Sequence, residues 1–208
     1  MRCLSALNVA AVPPDLRAEE VHVRAVPDAC VDATAARASA LADMLLIEAR
    51  NVGMARAAGA AALIAKGARW LAFTDADSEV APCWLARQQA LGADAVCGVV
   101  AVADWGDHGA VARAAYDEHY VDAENHAHVH GANLGVSTTA YPRAGGFPPL
   151  RSSEDVALVR QLAATGAAIA RTNTVRVRTS ARRVARAPDG FADFLCRLPG
   201  SDPGAFPR

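Results

Sequence analysis

The stretch Trp70-Leu71-Ala72-Phe73-Thr74-Asp75-Ala76-Asp77 decides the fold. Its first five residues make the compact apolar run of a buried strand, and the acidic residues behind them mark the strand's end. Upstream, Val21–Val26 (VHVRAV) is rich in β-branched residues and stops at Pro27-Asp28, which predicts a strand running into a loop. Residues 35 to 45 hold strong helix formers without glycine or proline, with Asp32 or Thr34 placed to cap them. A short strand over 45–47 and an alanine-rich helix over 54–66 complete the approach to Trp70. This β-α-β-α-β order predicts an α/β fold, with a mostly parallel central sheet and helices on both faces.

Downstream the alternation continues and then weakens. A helix is expected from Pro82 to about Leu91, and Ala95–Val102 (AVCGVVAV) reads as a buried strand. Residues 110–116 predict a helix and 122–130 (DAENHAHVH) a polar loop. A strand near 133–136, a turn at Gly145-Gly146, a helix over 154–165 and two strand-like runs at 168–171 and 175–178 follow. The Pro/Gly-rich residues 199–208 read as a fraying tail.

Length and composition set bounds on this reading. At 208 residues, 52% apolar and 21% charged, the chain suits one domain with a sizeable core. That domain divides into a first half, 1–102, and a second, 103–198. Twenty-one basic against 22 acidic residues leave a net charge of −1, which argues against a nucleic-acid partner. Cys3, Cys30, Cys83, Cys97 and Cys196 are odd in number and hold no CxxC pair, so neither a disulfide framework nor a zinc ribbon is expected. A cytoplasmic location follows from that usage and from a start that lacks the pattern of a signal peptide. No apolar run is long enough for a transmembrane segment.

Residues i and i+2 leave a strand on the same face, so Asp75 and Asp77 converge at the sheet edge where open α/β folds bind ligands. Two hard oxygen donors suit Mg²⁺ or Mn²⁺, which keeps positions open for substrate phosphates. The plainer reading of the same residues is a strand end, or a cap for the helix after Pro82. An EF-hand loop is excluded, because Val80 stands where glycine is needed and Ala86 where glutamate is needed.

Several fragments, taken in order, resemble the family 2 glycosyltransferases of the GT-A fold. They are Asp28-Ala29-Cys30-Val31-Asp32, Gly53-Met54-Ala55-Arg56-Ala57-Ala58-Gly59, Phe73-Thr74-Asp75-Ala76-Asp77, Gly131-Ala132-Asn133-Leu134-Gly135, Gly145-Gly146-Phe147 and Glu154-Asp155-Val156-Ala157-Leu158. The resemblance implies a sugar moved from a nucleotide diphosphate sugar to an acceptor hydroxyl, with inversion. It implies an ion at Asp77 and Asp75, a nucleoside contact at Asp28 and a nucleotide contact at Arg56. Asp155 would be the general base, with Glu154 beside it.

His130 and Asn133 are expected at the acceptor side, Trp84 as a platform for a sugar ring, and Arg182 as a grip on diphosphate. Arg182 belongs to a basic cluster with Arg171, Arg176, Arg178, Arg183 and Arg186, which reads equally as a solvated face. His126, His128 and His130 alternate with His119 nearby, a spacing that suggests solvated loop histidines ahead of a zinc site.

The chain departs from the family pattern in two places. Ala57 replaces an asparagine, and the first apolar strand with its P-x-x-N-E turn has no counterpart before Arg2. Residues 3–12 read as the helix that follows that strand. The neighbours of a missing strand expose backbone donors and acceptors, so self-association into a homo-oligomer is expected. Two other functions fit the same residues: a non-catalytic nucleotide- or sugar-binding module, and a nucleotidyltransferase, whose Gly-rich basic loop is absent here.

Overall fold

The computed structural model describes residues 1–12, 14–16, 19–102, 104–106, 108–182 and 191–199. Helix α1 (Arg2–Ala10) opens the chain. A small parallel pair follows, β1 (Arg24–Ala25) and β2 (Asp43–Met44), joined through α2 (Thr34–Ala38). The expected helix over 35–45 is shorter than its composition allows, because residues 43 to 47 are drawn into pairing with β1 and the residues that follow it. Asp43, Leu45 and Ile47 donate N–H groups to Val23, Ala25 and Pro27. Helix α3 (Val52–Ala65) starts at Asn51, whose side chain accepts from the Met54 N–H at 3.0 Å. It ends before Gly67, which takes the positive φ of +86° that closes the helix.

Strands β3 (Trp70–Phe73) and β4 (Glu79–Val80) flank the acidic triplet. Helix α4 (Trp84–Ala90), strand β5 (Ala95–Val102) and helix α5 (Ala110–His119) come next. A 3₁₀ turn at Gly131–Asn133 leads into β6 (Leu134–Ser137), then α6 (Ala140–Arg143), α7 (Glu154–Ala164), β7 (Ile169–Thr179) and α8 (Phe191–Arg197).

The larger sheet has the order β3-β6-β5-β7-β4. The expectation of a mostly parallel sheet needs correcting here. β3, β5 and β7 run in one direction, but β6 lies between β3 and β5 and runs against both, and β4 runs against β7. The sheet is therefore mixed, with β5–β7 as its parallel contact. The connection from β5 to β6 carries α5 and the Gly131–Asn133 turn, and β6 returns antiparallel between β3 and β5.

The two strand-like runs at 168–171 and 175–178 are one strand interrupted by an irregularity. Gly98 pairs with Thr172 but Val99 pairs with Arg176, so residues 173–175 bulge out of register. Asn133 fills the bulge. Its side-chain amide donates to the carbonyls of Val99 and Val175 at 2.8 and 2.9 Å, and its Oδ1 accepts from Trp84 Nε1 at 2.8 Å.

Three buried clusters hold the layers together. α3, α6 and α7 cover one face of the sheet through Leu71, Leu134, Val136, Tyr141, Leu158 and Leu162. α1 and α4 cover the other through Ala10, Val80, Trp84, Val96 and Val177. α5 and α8 close the end of β5 around Tyr116, Tyr120 and Leu195.

Candidate active site

A cleft of about 1830 Å³ runs along the carboxyl end of β3 and is walled by the loops after β1 and β3 and by the start of α7. Arg56 stands at its centre. One turn of α3 separates it from the buried Gly53, which lies so close to Pro148 and Leu150 that any side chain there would collide with their backbone. The Arg56 guanidinium lies 5.7 Å from the centre of the Phe147 ring. It bridges two carboxylates, donating through Nη2 to Asp75 Oδ1 at 2.6 Å and through Nη1 to Glu154 Oε1. Its side chain is 12% exposed. Burial lowers its pKa, but the charges of Asp75, Glu154 and Asp155 outweigh burial and hold the guanidinium more firmly protonated than usual.

Gly131 meets the same guanidinium from the far side. A Cβ at this position would overlap the Arg56 head group. Its N–H donates to Asp155 Oδ2 at 2.6 Å, while Asp155 Oδ1 accepts from the Val156 N–H at 2.8 Å. Asp155 is thereby aimed into the cleft from the first turn of α7, beyond Ser153 at φ +59°. Ala29, Arg50 and Ser153 are non-glycine residues with positive φ that line this cleft, and backbone strain of that kind collects at functional sites.

Asp75 and Asp77 do leave β3 into one cleft, and each meets an arginine: Asp75 meets Arg56, and Asp77 Oδ2 accepts from Arg182 Nη1. Arg182 Nε is buried and has no hydrogen-bond partner among the described residues. Cys3 Sγ contacts the Asp75 carbonyl at 3.2 Å, and burial ahead of the nearby Asp75 charge pushes its thiol up to about 11.

Other expected residues fall differently. Glu154 is 3% exposed and turned to Arg56, so it positions that arginine and does not reach an acceptor. Burial raises its pKa against the opposing pull of Arg56. Asp28 lines the cleft, but its carboxylate accepts three backbone N–H groups, from Ala49, Arg50 and Asn51 at 2.7, 2.8 and 2.7 Å. Burial acts to raise its pKa, and those three bonds together bring it below the usual carboxylate range. Trp84 and Asn133 are each 1% exposed and bonded to each other, so neither stacks on a sugar nor touches an acceptor; both fasten β7 to α4. Ser153, at the N-cap of α7, makes no side-chain capping bond.

His130 does face the cleft, beside Gly131. It is hydrogen-bonded to the Tyr120 hydroxyl at 3.0 Å, and burial, then His128 and His126, drives its pKa down to about 3. The alternating histidines are not freely solvated: His126 is buried, and His128 and His130 are half-buried. His126 is 2% exposed, and the rings of His126, His128 and His130 stack at 5.4 and 5.6 Å with their faces, not their nitrogens, toward one another. Among the described residues no group of three His, Cys, Asp or Glu side chains could hold a metal ion.

The basic cluster disperses: Arg176 pairs with Asp122, Arg178 with Glu79, and Arg171 donates to the carbonyls of Ala127 and His128. Arg183 and Arg186 lie outside the described residues. Sequence reasoning missed Gly131 as the hub between Arg56 and Asp155. It also missed the Arg182–Asp77 pair, whose members stand 105 residues apart.

Comparison by sequence finds no matching family and no similar curated protein. Comparison of the fold does find neighbours. S. aureus TarS (residues 1–349) with UDP-GlcNAc matches at TM-score 0.61 and 15% identity, over 91% of this chain and 56% of that one. The mannosyltransferase PcManGT of Pyrobaculum calidifontis, in complex with GDP-Man and Mn²⁺, matches at 0.58 and 20%, over 88% and 53%. A mycobacterial protein matches at 0.57 and 18%, over 85% and 63%. The chain spans between about half and two thirds of these structures and has a GT-A-like fold. No helix among the described residues is long and apolar enough to cross a membrane.

Proposed function

We propose that the chain is a metal-dependent, inverting glycosyltransferase of the family 2 kind, which moves a sugar from a nucleotide diphosphate sugar to an acceptor hydroxyl. The observation that carries this reading is the convergence of Arg56, Asp75, Asp77, Arg182 and Asp155 on one cleft.

Asp75 and Asp77 offer hard oxygen donors, and Mg²⁺ or Mn²⁺ typically takes one or two carboxylates and completes its shell with water and substrate phosphate. Two carboxylates with no third protein ligand among the described residues fit that habit. The ion would supply Lewis-acid neutralisation of the departing diphosphate. Arg56 and Arg182 bring permanent, forked positive charge to the same cleft, a donor geometry suited to phosphate oxygens.

Asp155 accepts the proton of the acceptor hydroxyl as its oxygen attacks the anomeric carbon. The bond from that carbon to the diphosphate oxygen breaks, and its electron pair leaves with the diphosphate. The Gly131 N–H fixes Asp155 Oδ2, so catalysis rests on position more than on basicity. Glu154 keeps Arg56 in place, and Asp28 holds the 49–51 turn beside the nucleoside end of the cleft.

The test is turnover on a panel of UDP- and GDP-sugars with Mn²⁺. Donor hydrolysis or transfer is expected in the wild type, absent in Asp77→Ala and about 100-fold or more slower in Asp155→Asn, the scale of a lost general base. Nucleotide binding without turnover favours the binding module, and pyrophosphate release from a sugar phosphate and a nucleoside triphosphate favours the nucleotidyltransferase.

A further inference from the structure

Asp77 and Arg182 meet across the cleft on a backbone that is fixed. β4 pairs with β7 through Glu79–Arg178 and Val80–Val177, and the buried Ser78 donates through Oγ to Thr179 Oγ1 at 3.0 Å. The turn that carries Asp77 and the segment that leaves β7 with Arg182 are tied together on both sides of the pair, so what is left to move is side chain. The two cleft arginines differ in that freedom. Arg56 is 12% exposed and is held by Asp75, by Glu154, by the Phe147 ring and by the close approach of Gly131. The Arg182 side chain is 37% exposed, and the Asp77 side chain opposite it is 25% exposed. Of the two, Arg182 has the room to change partner.

Charge bookkeeping at this pair gives it a consequence for binding. A divalent ion on Asp77 takes the carboxylate from Arg182 and sets a guanidinium beside a dication. A diphosphate on Arg182 takes the guanidinium from Asp77 and sets a carboxylate beside an anion. Either ligand alone therefore leaves one member of the pair facing its own sign of charge. With both present, Asp77 turns to the ion and Arg182 to the phosphate oxygens, and each charge has an opposite partner.

Resting on the transfer reading above, we propose that Arg182 is the residue that couples the two ligands: it closes Asp77 to a divalent ion until a diphosphate draws its guanidinium away. Coupling of this kind is reciprocal, so the ion tightens the diphosphate by the same factor by which the diphosphate tightens the ion. The sign separates this role from a structural one. Loss of a structural Arg182 weakens the binding of a bare ion, whereas loss of an Arg182 that covers Asp77 strengthens it.

The test titrates the full chain with Mn²⁺ alone, counting free ion by electron paramagnetic resonance, and with UDP or GDP by calorimetry, with and without saturating Mn²⁺. The wild type is expected to bind the bare ion weakly and to have its nucleotide tightened about tenfold or more by the ion. Arg182→Gln should bind the bare ion about fivefold or more tightly than the wild type and lose most of that coupling. Arg182→Lys, which keeps the charge, should bind the bare ion as weakly as the wild type. Unchanged or weaker binding of the bare ion in Arg182→Gln overturns the proposal and leaves the transfer reading standing, as does an Arg182→Lys protein that binds it as tightly as Arg182→Gln. No Mn²⁺ binding to the wild type with either nucleotide overturns both.

Discussion

Gly131 touches two side chains of the cleft at once, through its N–H to Asp155 and through its missing side chain to Arg56. Gly131→Ala is a local perturbation, since the group it displaces is the far end of a long side chain. Displacing the guanidinium unpairs the buried Glu154, so we expect a loss of about 3 kcal/mol or more in thermal stability. Turnover is expected to drop about 100-fold, the scale of an ångström-level misplacement at a reacting centre. Unchanged kinetics in this variant would show that Arg56 does not need its present place. Both roles of Gly131 were hidden in the sequence, because each depends on a residue more than 20 positions away in the chain.

At the scale of elements, Asn133 joins three of them, β5, β7 and α4. Asn133→Ala leaves two buried carbonyls and the Trp84 indole N–H without partners. At about 1–3 kcal/mol for each unsatisfied group, the loss should be about 3 kcal/mol or more in urea denaturation. A loss below about 1 kcal/mol would contradict this account of the bulge.

The elements themselves were largely legible. Ala95–Val102 is a strand over the very residues its unbroken apolar run marks, and Glu154 does open a helix. α2 was not legible, because pairing of 43–47 with β1 overrides helix propensity. Nor was the direction of β6, which depends on insertion between β3 and β5 and leaves no trace in local composition. Trp84 was misjudged because an indole carries the same sequence signal whether it is sealed in a core or open to a sugar. The acidic residues were visible at the end of an apolar run, but they sit in a turn past β3, where the Ser78 N–H bonds the Asp75 carbonyl, and their arginine partners came from distant parts of the chain.

Whole-molecule stability should depend on pH through the buried site. His130 titrates near 3 in the fold, below the 6.5 of an ordinary imidazole, so the unfolded chain binds more protons between those values. Stability therefore falls as pH drops from about 6.5 toward 3. The depressed carboxylate of Asp28 acts in the same direction, since its contribution is present above the ordinary carboxylate range and is lost as pH falls through its lowered value. Urea denaturation between pH 7 and pH 4 should show this slope, and His130→Gln, which removes the titrating ring, should flatten it. An equal slope in the variant would place the titration elsewhere.

Two carboxylates past the end of β3 and two arginines line one cleft, which we propose holds a diphosphate and a divalent ion. Anomalous scattering from crystals grown with UDP or GDP and Mn²⁺ addresses it most directly. The predicted result is a manganese peak beside Asp75 and Asp77, with the diphosphate against Arg56 and Arg182. A nucleotide bound in the cleft with no manganese at the two aspartates, or manganese only at some other surface, would contradict it.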